Sequence, residues 1–487
     1  MSENKIRNEI HVFINGAEHR ISGEKAFLPL AQYLRYHSSL PGTKVVCAEG
    51  DCGACTVLSA KLENNTWSEF QAINSCIAPM YLFDMGSLVT VEGLSEQEDL
   101  SEVQNKMREF HGGQCGYCTP GMVCSLSSLA EKSACSGKAI TKKKARNFLT
   151  GNLCRCTGYE PILAAATNLD LSKWKSLSAK YLTDSQKKQF LPLASDSLMI
   201  EAGAKKFTAP ANFQVATEQK SKSPQTRLVA GATDLGVLHN KGKAFMDDVM
   251  SLHKITDTNE IKMTADGVWV GARVTLTALE NFLEDKLPEL SRLLRIFASP
   301  QIKNQGTLVG NVMNGSPIGD SIPALLALDA EVHLQSTKGL RKVALPKFYK
   351  AYKVFDVTAD EIATGILIPV PGPEWKSKFF KVSLRKDLDI SAVTFAALVK
   401  VDGNTISDAS IAMGGVGPTV VRLSDIESAM KGQPFSEDTF IRMGEKVRTL
   451  IKPISDLRAT DEYRLKVAEN LFKKCHIELQ QEMTACP

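Results

Sequence analysis

The segment Cys47-Ala-Glu-Gly-Asp-Cys52-Gly-Ala-Cys55 gathers three cysteines in one glycine-containing loop, and Cys76 follows on a separate segment. A second group consists of Cys115-x2-Cys118 and, later in the chain, Cys154-x-Cys156. Together the two groups hold eight of the twelve cysteines. Four thiolates can hold one metal–sulfur centre, so the sequence predicts two such centres. Their predicted ligands are Cys47, Cys52, Cys55 and Cys76 for one, and Cys115, Cys118, Cys154 and Cys156 for the other.

The spacing C-x4-C-x2-C with a distant fourth cysteine is typical of a plant-type [2Fe–2S] cluster. Gly50 and Gly53 would let backbone amides donate hydrogen bonds to sulfur, and a charge on Asp51 would lower the reduction potential. Two one-electron centres in one polypeptide predict that the chain transfers electrons.

Two other uses of these cysteines stay open. Structural zinc prefers paired C-x2–4-C knuckles, which the first set lacks and which the single residue between Cys154 and Cys156 fits poorly. Disulfides are rare in a reducing compartment, and the N-terminus MSENKIRNEI lacks the apolar core of a secretory signal, so we expect a cytoplasmic protein. The remaining thiols are expected to be ordinary ones; they are Cys124, Cys135, Cys475 and Cys486.

The charge balance and the lack of long apolar stretches argue against a nucleic acid and a membrane as partners. The 487 residues include 58 Lys and Arg against 54 Asp and Glu, for a net charge of +4, which gives no reason to expect a nucleic acid. The basic run from Lys142 to Arg146 is more typical of a solvated helix face. No stretch approaches the ~18 consecutive apolar residues of a membrane helix, so no membrane is expected.

The first third of the chain predicts two small domains. Apolar residues alternate from Ile10 to Ile14 before Asn15-Gly16, which predicts a β-hairpin. A helix near 28–36, the cysteine loop and a strand from Thr56 complete a ferredoxin-like α+β domain over 1–93. From 94 to 170 the spacing of apolar residues predicts an all-helical, four-helix domain. Its caps are predicted to be Thr119 before Pro120 and Thr141, with Gly151 after a helix end.

The rest of the chain predicts two further domains after a break. Residues 171–197 are polar and dotted with lysines, so we predict a linker. Glycine-rich turns between short apolar runs predict a mixed α/β domain over 198–374. Strands over 392–401 and 411–413 followed by helices predict a C-terminal α+β domain over 375–487. The fold class is therefore multidomain α+β.

Several motifs resemble one known family, the molybdenum hydroxylases. CAEGDCGACTV (47–57), QCGYCTPG (114–121) and GNLCRCTGY (151–159) resemble its iron–sulfur part. GTLVGNVMNGSPIGD (306–320) resembles its FAD-binding domain, and AMGGVGPTVVR (412–422) is similar to the domain that follows. The resemblance covers nearly the whole chain and implies two [2Fe–2S] clusters and FAD, with two subdomains in the FAD-binding domain over 198–374. It also implies that molybdopterin lies in a separate large subunit, in a heterotetramer of two small and two large chains.

Two glycine-containing turns are candidates for holding the FAD pyrophosphate. Consecutive backbone N–H groups in such turns can cradle an anion, and the turns are Gly231–Asp234 and Thr307–Asn311. Neither follows G-x-G-x-x-G, so the predicted site is not a Rossmann site. The resemblance implies the cofactor-binding residues Leu228, Val229, Ala230, Gly231, Ala232, Thr233, Asp234, Leu235, Phe297, Thr307, Gly310, Asn311, Asp320 and Lys381.

Other residues have weaker assignments. Tyr352 and the stretch Arg385–Asp389 resemble residues near a nicotinamide pocket, although Leu388 stands where the family has an acidic residue. Phe297 and Tyr352 could equally be core aromatics. Gln114 is implied to lie toward the pterin of the partner. His111 is expected to be a loop histidine, and His239 and His253 have no neighbour at metal-ligand spacing.

The resemblance implies the electron-transfer subunit of a purine hydroxylase. Electrons would pass from the partner's molybdenum centre to the cluster of Cys115, then to the cluster of Cys47, then to FAD and NAD⁺. No residue of this chain would act as a catalytic base on the purine. An aldehyde or other N-heterocycle dehydrogenase is an alternative, as is a non-catalytic iron–sulfur sensor or assembly protein.

Overall fold

The computed structural model describes residues 5–95, 99–385 and 388–485. It consists of two compact units. Unit 1 comprises Met1–Thr256 with Ser299–Gly306, and unit 2 comprises Asp257–Ala298 with Thr307–Pro487. Across the described ranges, no helix is long and apolar enough to span a membrane.

The first sheet of unit 1 contains the predicted hairpin. Asn15 and Gly16 both have positive φ, at 49° and 87°, and Ile14 pairs with Ala17, which confirms the hairpin. A helix, Leu30–His37, packs its buried face into the same core. The strands, in sheet order, are Ala17–Ile21, Ile10–Ile14, Gly86–Val89, Thr56–Glu63 and Thr66–Trp67, with Gln71–Asn74 also paired to Thr56–Glu63.

The next region of unit 1 is helical, as predicted. Thr141 accepts a hydrogen bond from Lys144 N, which confirms that cap. The described helices here are Glu102–Glu109, Thr119–Ser136, Lys142–Phe148 and Glu160–Thr167.

Two cap predictions in this region were wrong. Thr119 is the first helical residue and Cys118 is the cap, because Gly116, with φ of 81°, reverses the chain and lets Thr119 N–H donate to Gly116 O (3.3 Å). Gly151 does not take the left-handed conformation; it lies in a tight contact, where an added Cβ would be 1.9 Å from Gln301 Oε1.

The stretch predicted to be a linker, 171–197, is largely helical. Its helices include Leu177–Tyr181 and Asp184–Phe190. Glu131, on the helix Thr119–Ser136, is 5% exposed and holds the start of this stretch. Its carboxylate accepts hydrogen bonds from Trp174 Nε1 (2.7 Å), Ser176 Oγ (2.9 Å), Leu177 N (3.0 Å) and Ser178 N (3.0 Å). The polar composition of 171–197 predicted a linker because Glu131, which holds the stretch in place, is distant in sequence.

Replacing Glu131 with glutamine should loosen the stretch 171–197. Burial alone would raise the pKa of Glu131, but the hydrogen bonds from Trp174 and the amides of Ser178 and Leu177 outweigh it and hold the pKa below its ordinary value. Its stabilisation is therefore present above the ordinary pKa of 4.5 and is lost as pH falls through the lower folded-state pKa. Losing charged hydrogen bonds should cost about 1.5–3 kcal/mol of local stability.

Hydrogen exchange of the amides in Leu177–Tyr181 measures this loss directly. The exposed Glu109, replaced with glutamine, is the matched control and should leave exchange in this helix unchanged. Equal exchange in the Glu131→Gln and unmodified proteins would contradict the assignment of Glu131 as the anchor.

A second sheet in unit 1 includes the very start of the described chain. Ile6–Arg7, which the sequence assigns to the first domain, pairs in parallel with Ser197–Leu198. The strands, in order, are Ile6–Arg7, Ser197–Ala202, Lys205–Ala209, Asp248–Ser251 and Arg227–Val229. The remaining α-helices of this unit are Phe213–Lys222, Leu235–Asn240 and Pro300–Lys303.

Unit 2 combines two main sheets with helices. The first has the order Ile261–Thr264, Gly267–Gly271, Ile362–Ile368, Glu331–Ser336 and Gly339–Ala344, and a short pair is Tyr349–Ala351 with Val354–Phe355. The second is Trp375–Val382, Val393–Asp402, Thr405–Gly414 and Val421–Arg422. It confirms the two predicted C-terminal strands, the first displaced by one residue and the second longer than predicted. The helices are Leu276–Phe282, Pro288–Arg295, Leu308–Asn314, Ser321–Ala327, Leu345–Phe348, Ser424–Met430, Glu437–Leu450 and Asp461–Ala485.

Candidate functional site

The first cysteine set converges in unit 1. Cys55 and Cys76 are 1% and 3% exposed, whereas Cys47 and Cys52 are half-buried. The hydrogen bond between Cys47 and Cys52 lowers the pKa of Cys47 and raises the pKa of Cys52. A hydrogen bond with Cys76 lowers the pKa of Cys55. Contacts with Cys47 and Cys55 raise the pKa of Cys76. The four thiols therefore lie close together, two of them buried and two half-buried.

The loop that carries this set needs its glycines. Gly50 and Gly53 are left-handed, with φ of 77° and 69°, and so is Ala48, with φ of 54°. A Cβ on Gly50 would lie 2.7 Å from Ile77 Cδ1, and one on Gly53 would lie 2.1 Å from Gly151 O. Asn74, which the sequence did not single out, donates its side-chain amide to Gly50 O (2.5 Å). The loop fits a cluster whose sulfurs approach the backbone closely.

The second cysteine set converges nearer the surface. Cys115 and Cys156 are exposed, and their sulfurs are 3.6 Å apart. Cys118 and Cys154 are half-buried; burial, followed by the contact with Cys154, raises the pKa of Cys118 to about 12. Cys154 is oriented locally, since its N–H donates to Tyr159 Oη (2.9 Å). Two close pairs of thiols fit two irons that each take two thiolates.

Throughout the part of the chain that the structure describes, no three His, Cys, Asp or Glu side chains meet at one metal-ion position.

A direct backbone contact joins the two cysteine sets. Leu153 N–H, immediately before Cys154, donates to Cys52 O (2.9 Å). Asn152 lies beside this contact, is 2% exposed, and donates its side-chain amide to Gly53 O (3.0 Å). Sequence reasoning missed Asn152 because nothing in its local pattern indicates a partner in the first cysteine loop.

The helix Leu235–Asn240 contacts the first set. A Cβ on Gly236 would lie 2.0 Å from Ile77 O, so the helix packs directly on the segment after Cys76. Asn240 donates its amide to both Ala48 O (2.8 Å) and Cys76 O (2.9 Å). This helix follows the predicted FAD loop 228–235, so the loop and the first cysteine set are close neighbours within unit 1.

The loop 228–235 itself has the geometry of a tight backbone turn. Leu228 and Val229 end the strand Arg227–Val229, and Ala232 has a positive φ of 58°. Gly231 has no room for a side chain, since a Cβ there would lie 1.9 Å from Gln305 O. A backbone that close to its neighbour fits the predicted use of this loop in holding a phosphate-bearing cofactor.

Three of the predicted FAD residues meet in unit 2. Lys381 Nζ lies 2.7 Å from Asp320 Oδ2 and donates to Phe297 O (3.1 Å). Ser391, which the sequence did not single out, donates to the other oxygen of Asp320. Burial raises the pKa of Asp320, while the charge and hydrogen bond of Lys381 and the hydrogen bond of Ser391 oppose that rise. The cluster is a preorganised set of polar groups in a buried setting.

The second segment predicted to be a phosphate-binding turn, Thr307–Asn311, is not a turn; it is the start of a helix. Thr307 caps the helix Leu308–Asn314 and accepts a hydrogen bond from Gly310 N (3.0 Å). Asn311 Oδ1 accepts from Ser321 Oγ (2.7 Å). Threonine is a favoured N-cap residue, and the glycine content of the segment obscured the start of this helix. The roles of Thr307, Gly310 and Asn311 toward FAD stay a prediction.

Replacing Lys381 with methionine should weaken FAD binding. Asp320 would lose the cation that opposes burial, so its pKa should rise further and the cluster of Phe297, Asp320 and Lys381 should lose its charge pair. Loss of charged hydrogen bonds should weaken FAD affinity by about 1.5–3 kcal/mol, roughly 10- to 100-fold.

Titration of the deflavinated complex with FAD gives this affinity. Lys376→Met, on the same strand Trp375–Val382, is the matched control and should bind FAD normally. An unchanged affinity in Lys381→Met would remove Lys381 from the FAD-binding residues.

The remaining predicted residues are spread more widely. Gln114 is exposed in the loop of Cys115. Tyr352 is 59% exposed, so it is not a core aromatic, and Phe297 is half-buried. Arg385 N–H donates to Asp389 Oδ2 (2.8 Å) and Leu388 has φ of 55°, whereas Lys386 and Asp387 lie outside the described residues.

The histidines and leftover cysteines have ordinary surroundings. His111 is exposed with φ of 54°, and the ring of His253 contacts Ser251 Oγ (3.1 Å) and stacks on Phe207. His239 is part of the helix Leu235–Asn240. Cys124 and Cys475 are buried, which raises the pKa of each thiol, while Cys135 is exposed. Cys486 lies outside the described residues.

Family models match three successive parts of the chain. A [2Fe-2S] binding domain matches residues 90–167, an FAD binding domain in molybdopterin dehydrogenase matches residues 201–371, and a CO dehydrogenase flavoprotein C-terminal domain matches residues 378–479.

Similar proteins and solved structures support the same family. Xanthine dehydrogenase from Oryza sativa subsp. japonica is 30% identical over 87% of this chain and 36% of its own length. Reconstituted CO dehydrogenase from Oligotropha carboxidovorans is 25% identical with a TM-score of 0.53, over 56% of this chain and 97% of that chain. Quinoline 2-oxidoreductase from Pseudomonas putida 86 shares the fold, at 24% identity and a TM-score of 0.53, over 56% of this chain and 96% of that chain.

The chain belongs to the molybdenum hydroxylase family. Its multidomain α+β fold is confirmed, and [2Fe–2S] clusters and FAD are its cofactors. It spans little more than a third, 36%, of the rice relative's length.

Proposed function

We propose that this chain is the electron-transfer subunit of a xanthine dehydrogenase. In that role it passes electrons from a molybdenum cofactor on a partner subunit, through two [2Fe–2S] clusters, to FAD and on to NAD⁺. The overall reaction is the oxidation of hypoxanthine and xanthine to urate. The rice xanthine dehydrogenase, which aligns with 87% of the chain, supports this substrate class.

One observation carries the proposal. Within unit 1, the second cysteine set contacts the first set, and the first set contacts the helix that follows the loop 228–235. The sets are joined by the hydrogen bond from Leu153 N to Cys52 O (2.9 Å). The first set is in turn held by Asn240, at the end of the helix that follows the loop 228–235. This arrangement supports a chain of redox cofactors in the order second set, first set, FAD.

The residues of this chain bind and orient the cofactors, and no residue acts as a base on the purine. FAD, when bound, can take up electrons singly and deliver a hydride, which links one-electron to two-electron chemistry. Its proposed contacts are residues 228–235 with Phe297, Thr307, Gly310, Asn311, Asp320 and Lys381. The cluster ligands are the eight cysteines of the two sets. We also propose the domain boundaries near 93, 170, 197 and 374 and a cytoplasmic location.

The exposed second set supports a docking role toward the molybdopterin-binding large subunit. Cys115, Cys156 and Gln114 are exposed, and so are two apolar side chains beside them, Tyr117 at 49% and Leu153 at 45%. Exposed apolar patches rimmed by polar residues are typical of a protein interface. We propose a heterotetramer of two small and two large chains, with NAD⁺ taken up near Tyr352 and Arg385–Asp389.

Cofactor analysis of the native complex tests the proposal. We expect about four irons and one FAD per copy of this chain, from two [2Fe–2S] sites, and NADH–dye reductase activity. Colourless material that holds zinc would overturn the cluster assignment. Clusters without flavin would favour a sensor or assembly protein instead.

The substrate is tested with the co-purifying large subunit present. Xanthine, an aldehyde and quinoline are compared at equal concentration, with NAD⁺ and oxygen as alternative acceptors. Faster turnover of aldehydes or N-heterocycles than of xanthine would replace the purine assignment and leave the electron-transfer role intact.

A further inference from the structure

A buried polar network connects the two cysteine loops to a distant segment of the chain. Its centre is Gln301, which is fully buried, with 0% exposure. Gln301 Nε2 donates to Asn152 Oδ1 (2.7 Å) and contacts Ser125 Oγ (3.2 Å) and Thr56 Oγ1 (3.4 Å). All four residues belong to unit 1. The segment Ser299–Gly306 therefore reaches into the space between the two cysteine-bearing loops.

The three neighbours of Gln301 connect it to the cysteine loops, Asn152 and Thr56 directly and Ser125 through Asn152. Asn152 donates to Gly53 O (3.0 Å), next to Cys52, and is separated from Cys154 only by Leu153. Thr56 follows Cys55 and also donates to Gly53 O (2.6 Å). Ser125 donates to Asn152 Oδ1 (2.6 Å) and fixes the orientation of its amide. The network thus clamps the backbone on both sides of the hydrogen bond from Leu153 N to Cys52 O (2.9 Å).

That hydrogen bond completes a short route between two proposed ligands, and every other step of the route is a covalent bond. On one side it reaches the Cys52 sulfur through the carbonyl and side chain of Cys52. On the other side it reaches the Cys154 sulfur through the Leu153 backbone. A single hydrogen bond is the weakest step of this route, so its length depends on how firmly the two loops are held together.

We propose that Gln301, acting with Asn152, is a positioning residue for electron transfer between the two clusters. It holds the Leu153–Cys52 hydrogen bond at a constant length. One electron crosses for each transfer event, one cluster being oxidised as the other is reduced, and no proton or covalent bond is exchanged. This inference rests on the proposed assignment of the eight cysteines as cluster ligands.

Packing alone does not explain a glutamine at this place. Among the described residues, Gln301 Oε1 has no hydrogen-bond partner, and a buried polar atom without a partner costs about 1–3 kcal/mol. Gly151 also has to lack a side chain to admit this oxygen, since a Cβ would lie 1.9 Å away. An apolar side chain of similar size would fill the space without these costs. The amide donor toward Asn152 is what such a side chain would lack.

Gln301→Met tests the proposal because it keeps the volume and removes the hydrogen bonds. The holoenzyme is first analysed for iron and FAD, so a failed cysteine assignment appears as missing iron in the unmodified protein. Two readouts follow: the magnetic coupling between the two reduced clusters by paramagnetic resonance, and the rate of inter-cluster transfer after flash reduction. With clusters intact, we expect weaker magnetic coupling and a lower rate of inter-cluster transfer than in the unmodified holoenzyme.

Two further variants keep the test decisive. Asn304→Ala removes a hydrogen bond from the same segment to Ala72 O (2.8 Å), away from both cysteine loops, and should leave coupling and rate unchanged. Ser125→Ala frees the Asn152 amide without disturbing packing; it should produce a smaller change in the same direction, and it decides the matter if Gln301→Met fails to load clusters. Normal coupling and rate with a lowered melting temperature would show that the network is only structural and would overturn the proposal.

Discussion

Serine in place of Cys154 is expected to abolish one of the two paramagnetic cluster signals and to leave the other. Cys154 lies with Cys118, Cys115 and Cys156 near the surface of unit 1, and its backbone is held by Tyr159 Oη at 2.9 Å. A serine hydroxyl can keep the local hydrogen bonds but replaces the soft thiolate that iron–sulfur chemistry requires. Iron content should fall by about two atoms per chain, the content of one [2Fe–2S] cluster.

The converse variant, Cys55→Ser, should remove the other signal and also disturb the fold. Cys55 is 1% exposed and packs with Ala31, Cys76 and Ile77 in one apolar cluster, so a hydroxyl there is buried away from water.

In the Cys154→Ser variant, by contrast, NADH should still reduce FAD, because electron transfer from NADH to FAD does not use the second cysteine set.

Paramagnetic resonance of the dithionite-reduced complex, with iron analysis, distinguishes the two variants. Cys135→Ser is the matched control, because Cys135 is exposed and belongs to neither set, and it should retain both signals. Loss of both signals, or of neither, in Cys154→Ser would show that the eight cysteines are not divided between two clusters as proposed.

Asparagine in place of Asp84 is expected to give the largest loss of stability in unit 1. Arg7 donates two hydrogen bonds to the Asp84 carboxylate, at 2.7 and 3.2 Å, and Lys254 Nζ lies 3.8 Å from it. The side chains of Asp84, Lys254 and Arg7 are 0%, 3% and 6% exposed. Removing the anion leaves two buried cations with only the more distant Asp196, whose Oδ2 lies 3.6 Å from Arg7 Nε. Breaking a buried pair by removing one partner costs about 3–5 kcal/mol.

The Asp84 ion pairs lie between the two sheets of unit 1, so their loss should destabilise the whole unit. Arg7 lies on the strand that pairs with Ser197–Leu198, and Asp84 also accepts from His11 N (3.0 Å) in the first sheet. Lys254 follows the strand Asp248–Ser251 and donates to Leu193 O (2.8 Å). The charges therefore join both sheets of unit 1, and the melting temperature of that unit should fall on the order of 10 °C.

The pH dependence of the difference identifies the cause. Burial alone would raise the pKa of Asp84, but the charge and hydrogen bonds of Arg7, then the charge of Lys254, hold that pKa below its ordinary value of 3.8. The stabilisation is therefore present above pH 3.8 and lost as pH falls through the lower folded-state pKa. The gap between the unmodified protein and Asp84→Asn should shrink in that acid range.

Scanning calorimetry at several pH values measures this gap. Glu160→Gln is the matched control, because it breaks an ion pair of similar length, 2.8 Å to Lys142, whose side chains are 71% and 53% exposed. Its melting temperature should equal that of the unmodified protein. A drop in Asp84→Asn no larger than in this control would show that the network contributes no stability.

Local patterns predicted the parts of this fold that depend on near neighbours. Asn15-Gly16 makes the hairpin because both residues accept positive φ, at 49° and 87°. Thr141 caps its helix by bonding an amide three residues away. The cysteine spacings likewise identified two sets of thiols, since each loop brings its own sulfurs together.

The same reasoning failed where a distant residue decides the conformation. Gly151 looks like a helix C-terminus, yet its place is determined by Gln301, and the polar stretch after residue 171 is ordered by Glu131. Ile6–Arg7 lies beside the first domain in sequence but pairs with Ser197–Leu198.

By itself the sequence determined the chemistry of this protein, because thiol spacing, glycine loops and turn residues act over a few positions. Only the tertiary structure decided how the two cysteine sets meet and which buried groups hold them. The physical reason is that the Leu153–Cys52 contact, the Gln301 network and the Asp84 ion pairs join residues far apart in the chain. Their energies depend on burial and distance, which exist only once the chain has folded.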